Sequence, residues 1–576
     1  MRRFGGTRPL WLAMVLLVAT LMTTCAPIPA SPSNGVIGAD GTASTVGPKG
    51  TLRIAWVNEP ENLHPKLLAG SGLSEYHWMF DSMLVYLDFS GIPHPMLAKD
   101  LPSQENGDWV INPDGSMVTT YRLRENARWH DGTPITAGDF VFGYHVYLDP
   151  DLPIVDRRPE NLMSSVEAPD DHTITITWRE PYNQANVLGY RALDPIPRHT
   201  LEEKYRSNKA SFATGEEWTS AYVGSGPFRV DRWIQGSELI ARGFSNWVLG
   251  PPKLDTIDIR FIKDSGAIVA SLLSGAIDMS NSQSIRASDA ATLRDQWASR
   301  GGGGWIKTWS TRIGYLEYQF REVPSWQPAI TDLRVRQALA HATDREGIAN
   351  AATDSLGAPA DVFVAPSDTL FPDVDHAVTK YPYDPERAAA LLADSGWRRP
   401  AAGALLANDA GGTLDMEVWA TSNQAVEATI IADNWKAVGI NSTIFIIPAG
   451  RERDGELRAA FPVASMNGRT MSIENFRFTK ADFATPENRW AGLNHGQFYD
   501  PDVDRLYRVI VTSFDPNERH QATIDLHRRM SEVVGYQPIF YDVEAIGATN
   551  RVKGPIGNYG PQEGITWNVS DWQVTD

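Results

Sequence analysis

The chain has 576 residues, 42% hydrophobic and 21% charged. That length exceeds the ~250–300 residues at which a single core stops growing, so two or three domains of ordinary globular composition are expected. The formal charge of -18 at pH 7 excludes nucleic acid as a partner, because an acidic surface repels phosphates and offers no cationic stripe; it leaves open a charged solute held inside a cleft.

The first segment reads as an export signal. Arg2, Arg3 and Arg8 precede an apolar run from Leu10 to Met22, shorter than the roughly 20 residues that a membrane span needs. The single cysteine, Cys25, follows in Leu-Met-Thr-Thr-Cys, the place where a bacterial lipoprotein carries its acylated residue. Thr24 departs from the Gly, Ala or Ser usual before that cysteine, and a secretory cut further along is the alternative. Either way no thiol remains for a disulfide or a nucleophile in the folded part, as suits an exported chain. Residues 26–50, rich in Pro, Ser, Gly, Ala and Thr, read as a flexible tether.

Past the tether, Thr51 to Val57 alternates as a strand. Asn112-Pro113-Asp114-Gly115 is a turn that predicts a hairpin with the alternating Ser116 to Leu123. Thr136 and Asp139 form a capping box ahead of a helix carrying Phe140, Val141 and Tyr144. Gly301 to Gly304 reads as a loop. Asp332 caps a helix with Val335, Ala338, Leu339 and Ala342 inward and Arg334 and Arg336 on the solvent side. Asp384 and Pro385 start another, which Gly396 ends. Strand, helix and strand follow at Leu414–Trp419, Ala428–Val438 and Ser442–Ile447, so the fold class is α/β.

Catalytic patterns are missing: no Gly-x-Ser-x-Gly elbow, no His-Glu-x-x-His zinc helix, no phosphate-binding loop and no EF-hand. His64, His77, His94 and His130 lie in one region at spacings that fit no standard metal site. No metal, cofactor or enzymatic activity is expected. The 70 acidic residues contain candidate glycosidase pairs with almost no specificity, and the 19 tryptophans, mostly core, offer faces for stacking.

Several segments together resemble the oligopeptide- and dipeptide-binding family of bacterial solute-binding proteins (family 5): Tyr121 to Phe140 with Trp129-His130-Asp131-Gly132-Thr133-Pro134, Gly224-Ser225-Gly226-Pro227-Phe228, Ser274-Gly275-Ala276-Ile277-Asp278, Asp332 to Leu339 and Tyr383 to Ala388. Weaker echoes at Asp500 to Asp504 and Gln537 to Tyr541 extend the resemblance over nearly the whole mature chain. It implies a two-lobed periplasmic-binding-protein fold of type II. Lobe I would comprise 51–311 and 536–576, with an extra subdomain at about 86–200, and lobe II 312–535. The chain would cross between lobes near Ser310 to Tyr315 and Gly535 to Tyr541. The implied function is substrate capture for an ABC importer, with permease subunits as partners and a lipid anchor on the membrane's outer side, as a monomer.

From the same resemblance, Asn281 and Ser282 would line the ligand from lobe I, Arg312 and Tyr315 from the crossing, and Trp419, Asn423, Asn467, Arg469 and Trp490 from lobe II. One departure matters. Peptide binders of this family commonly place an aspartate in the second lobe against the ligand's α-amino group, whereas Phe461 to Met471 contains none. Peptides or peptide-like solutes remain the first expectation and oligosaccharides the second; a sensory receptor and a secreted glycosidase are rival classes.

Overall fold

The computed structural model describes residues 50–575 apart from 65, 68–72, 155, 472–475, 477 and 558–563, so the leader, Cys25 and all but the last tether residue lie outside the described residues. The strands of the main sheet are β1 (Thr51–Trp56), β2 (Phe228–Ile234), β3 (Glu238–Gly243), β4 (Thr256–Phe261), β5 (Met279–Ser280), β6 (Gly304–Tyr318), β7 (Asp415–Ala420), β8 (Asn441–Ile446), β9 (Ala464–Thr470) and β10 (Tyr536–Thr549). Their spatial order is β8-β7-β9-β6-β10-β5-β1-β4-β3-β2, and the short strand Ala358–Pro359 pairs with β10.

The sheet changes character at β6 and β10. On one side β5, β1 and β4 run parallel; on the other, β9, β7 and β8 do. The first half of β6 pairs with β10 from Gly304 opposite Thr549 to Trp309 opposite Glu544, and the second half from Arg312 opposite Asp542 to Glu317 opposite Tyr536. Between the halves Ser310 and Thr311 stand against the single Val543, a β-bulge that bends both strands. A second irregularity falls at Gly314 and Tyr315, opposite Phe540 and Pro538. Proline has no N–H to give the ladder and is tolerated at such a break.

Each half has its own core. Leu316, Met416, Val418, Met466 and Trp435 pack around β6, β7 and β9, while Leu52, Ile54, Ile257, Ile259 and Ile546 pack around β1, β4 and β10. A separate antiparallel sheet orders Trp109–Ile111, Met117–Arg122, Thr173–Trp178 and Met163–Asp170. The helix Ala137–Leu148 buries Phe140 and Tyr144 against this sheet.

Local chemistry explains the motifs. In the hairpin turn Gly115 takes φ +83°, and the Thr136 amide donates to the Asp139 carboxylate at 2.8 Å. Asp332 and Asp384 accept from the amides of Arg334 and Arg387 as N-caps, and Gly396 is left-handed. The Phe80 carbonyl accepts from Ser225 N and Gly226 N, each at 2.8 Å, and a Cβ on Gly224 would lie 2.1 Å from its oxygen. Asp278 is buried and accepts from Arg53 Nη2 at 2.8 Å and Arg551 Nη1 at 2.9 Å, tying β1, β5 and the end of β10 together.

Two expectations change. Arg336 is not on the solvent side: it is buried and donates to the carbonyls of Ile330, Val533 and Val534, with its guanidinium over Phe320. The helix Pro516–Val533 ends there, and its terminal carbonyls need donors that an arginine fork supplies. Gly301, Gly302 and Gly303 have positive φ as loop residues, but Gly304 already pairs as the first residue of β6.

Candidate functional site

The parallel strands of both halves aim their carboxyl ends at the bulge. After β5, Asn281 and Ser282 lead into a segment whose Ile285 bridges Ala545 of β10. From the other half, β9 ends at Thr470 opposite Arg312, and Met471 N donates to the Thr311 carbonyl at 2.7 Å. β7 ends in the turn Ser422–Gln424. Open α/β sheets bind ligands outside the carboxyl ends of their strands, which makes this junction the candidate site.

The residues singled out from the sequence fall into different surroundings. Asn281 and Ser282 are buried at the junction, with Ser282 Oγ 3.4 Å from Glu75 Oε1. Arg312 is half-buried beside the bulge. Arg469, also half-buried, lays its guanidinium over Phe478 at 4.7 Å and Tyr315 at 5.6 Å. Tyr315 is interior, edge-on to Phe363 and Phe478. Asn467 is interior too, accepting from Arg458 Nη2 at 2.6 Å and donating to Glu317 Oε2 at 3.3 Å. Trp419 donates to Glu417 Oε2 at 2.8 Å and packs on Phe445, Asn423 is exposed, and Trp490 lies beneath Arg321. None of the described tryptophans is exposed.

Three glutamates at the junction were not anticipated. Glu75, on the helix Leu73–Phe80, accepts from Thr566 N at 3.1 Å and Thr566 Oγ1 at 2.8 Å. Glu544, on β10 at the bulge, accepts from Thr311 Oγ1 at 2.6 Å and Trp309 Nε1 at 3.1 Å. Glu427 occupies the first turn of the helix Ala425–Ala437, just past the carboxyl end of β7. Their sequence signal is a lone charge inside an apolar stretch, as in Val543-Glu544-Ala545-Ile546. Burial pushes Glu75 up to about 7, against the pull of its bonds from Thr566, and burial raises Glu427 as well.

This architecture has known counterparts. The family model for bacterial extracellular solute-binding proteins, family 5 Middle, matches residues 93–485. The chain belongs to that family. Among curated family 5 relatives, a Brucella ovis protein named for ABC-transporter peptide binding is 30% identical over 295 residues; the match spans half of this chain and half of that protein's length. The oligopeptide-binding protein AppA of Bacillus subtilis is 24% identical over 473 residues, 80% of this chain and 81% of AppA. The solved structure of AppA with a nonapeptide matches with a TM-score of 0.76 at 21% identity, over 92% of this chain and 100% of AppA. An oligopeptide-binding protein from Thermus thermophilus with a pentapeptide matches at 0.78 and 21% identity, over 91% of this chain and 96% of its own. The family 5 fold is therefore the two-lobed one.

Proposed function

We propose that this protein captures peptides or peptide-like solutes outside the cytoplasm and delivers them to the permease subunits of an ABC importer, as a monomer, without a cofactor and without catalysis. The observation that carries the reading is the convergence of parallel-strand carboxyl ends from both sides on one bulged two-strand crossing. In this reading 51–311 and 536–576 form lobe I, with a subdomain at about 86–200, and 312–535 form lobe II. Export and lipidation at Cys25 would hold the protein at the outer face of the membrane. Asn281, Ser282, Arg312 and Arg469 are the first candidates for ligand contacts from the sequence-derived set.

A binding protein of this kind works by differential affinity: ligand touches both lobes only when they are closed, so it shifts the hinge equilibrium toward a surface the permease reads. Contacts between the two proposed lobes support this reading. Asn183 Nδ2 donates to the carbonyls of Ile510 and Ser513 at 2.7 and 2.8 Å. Arg158 reaches Asp482 at 2.5 Å and the Tyr507 hydroxyl at 3.1 Å.

The test is a thermal-shift screen of the full chain against peptide and oligosaccharide pools. A ligand at about 100 times its Kd adds roughly 2.7 kcal/mol of stability. Stabilisation by peptides is expected; stabilisation by oligosaccharides alone would replace the peptide reading.

A further inference from the structure

Several buried carboxylates of this molecule have cations. Asp278 has Arg53 and Arg551, Glu160 has Lys66, and Asp482 has Arg158. Glu427 and Glu75, at the junction, do not follow that pattern. Glu427 is 7% exposed, its Oε2 is buried without a hydrogen-bond partner, and it has no ion pair among the described residues. The charged groups facing it are Asp542, which adds to its burden, and Arg286, which eases it without pairing. Glu75 is 2% exposed and is held by Thr566, by the Ile565 backbone and, at 3.4 Å, by Ser282, with no ion pair among the described residues and Glu544 as the neighbouring charge. Glu544 and Asp542 stand two residues apart on β10 at the bulge, and each adds to the burden of one glutamate, Glu544 to Glu75 and Asp542 to Glu427.

An unpaired buried carboxylate costs several kcal/mol. Here that cost sits at the lobe junction, on elements from both sides of the crossing. Of the two arginines placed at the junction from the sequence, Arg469 is committed to Tyr315 and Phe478, and Arg312 stands opposite Asp542 in the ladder.

Resting on the solute-capture reading above, we infer that the ligand is cationic: Glu427 from one lobe and Glu75 from the other recognise ammonium or guanidinium groups carried by the solute. Closing the lobes over such a ligand supplies the counter-charge that the protein withholds, so ligand charge and closure are coupled. This also answers the absence of aspartate from Phe461 to Met471, since the amine-binding carboxylate comes from helices instead of the second-lobe strand.

The experiment is isothermal titration of the full chain with trilysine, trialanine, triglutamate and the non-peptide cation spermidine, on the native chain, on Glu427→Gln and Glu75→Gln, and on a control, Asp433→Asn, whose carboxylate is exposed on the same helix as Glu427. Trilysine is expected to bind at least tenfold tighter than triglutamate. Each glutamine variant should lose about tenfold in trilysine affinity while melting like the native protein, and the control should lose nothing. Equal or tighter binding of triglutamate overturns the inference while leaving peptide capture intact, and so does trilysine binding unchanged in both glutamine variants. Binding of spermidine with no peptide bound would keep the charge inference and remove the peptide reading; silence toward all four probes would remove both.

Discussion

Two sets of buried acidic side chains in this protein are treated differently. In the first half of the molecule, away from the crossing, Glu160 and Lys66 are both fully buried, with Lys66 Nζ 2.6–2.7 Å from each carboxylate oxygen and 2.9 Å from the Arg158 carbonyl, while Leu193 N donates to Glu160. Asp278 is equally complete, with three donors from Arg53 and one from Arg551. At the bulged crossing of β6 and β10, Glu427 and Glu75 pair with no cation among the described residues. Low dielectric makes both situations expensive to disturb, but in opposite directions: removing a partner from a complete pair strands a charge, whereas neutralising a lone charge removes a cost.

The contrast would break first at Lys66. Lys66→Met should leave Glu160 buried and unpaired and cost about 3–5 kcal/mol in a urea denaturation of the full chain. A loss under about 1 kcal/mol would mean that water reaches Glu160 and the pair is not structural. Asp278→Asn comes next. Its arginine partners are a third or more exposed, so solvent compensates part of the loss and a cost of about 2 kcal/mol is expected.

A third arrangement lies between these extremes. His77 sits between two carboxylates, with Nδ1 3.5 Å from Asp81 and Nε2 3.4 Å from Asp194, and the Tyr222 hydroxyl donates to Asp81 at 2.6 Å; Arg191 also faces the histidine. Burial pushes Asp81 up to about 7 even though His77 and Tyr222 pull it down. Burial alone would depress His77, but the two aspartates outweigh it and raise it above 6.5. Both groups therefore hold protons more tightly folded than unfolded. Their contribution to stability is complete at low pH and is lost as pH rises, for His77 above 6.5 and for Asp81 through about 7. The melting temperature should fall from about pH 4 to about 7 as Asp81 loses its proton and further above 6.5 as His77 does, and Asp81→Asn should flatten the part of the slope below 7. An unchanged slope in the variant would place the titrating group elsewhere.

Much of the scaffold was legible in the sequence because its causes are local. The Asn112–Gly115 hairpin, the Thr136 capping box and the Asp332 and Asp384 caps each depend on bonds spanning a few residues. The candidacy of Asn281 and Ser282 rested on the family resemblance, through the Gly275 to Asp278 motif that precedes them. Arg336 was not, since two of the three carbonyls it serves lie 197 and 198 residues further along. The junction glutamates were hidden for the same reason: Glu75 meets Thr566 from 491 residues away, and a lone glutamate on a helix otherwise reads as a solvated charge.

The smallest expected effect discriminates best between the two regions. Glu427→Gln makes the same chemical change, carboxylate to amide, as Asp278→Asn, in a side chain that is also more than nine-tenths buried. It removes no ion pair, and it relieves repulsion from Asp542 at the expense of attraction to Arg286. Urea denaturation without ligand should place the variant within about 0.5 kcal/mol of the native chain, or slightly above it, because replacing a lone buried charge costs little or stabilises. A loss of about 2 kcal/mol or more, the scale of a broken buried pair, would mean that Glu427 is a scaffold carboxylate like Asp278, with its charge already compensated inside the protein, and the two regions would no longer differ in kind.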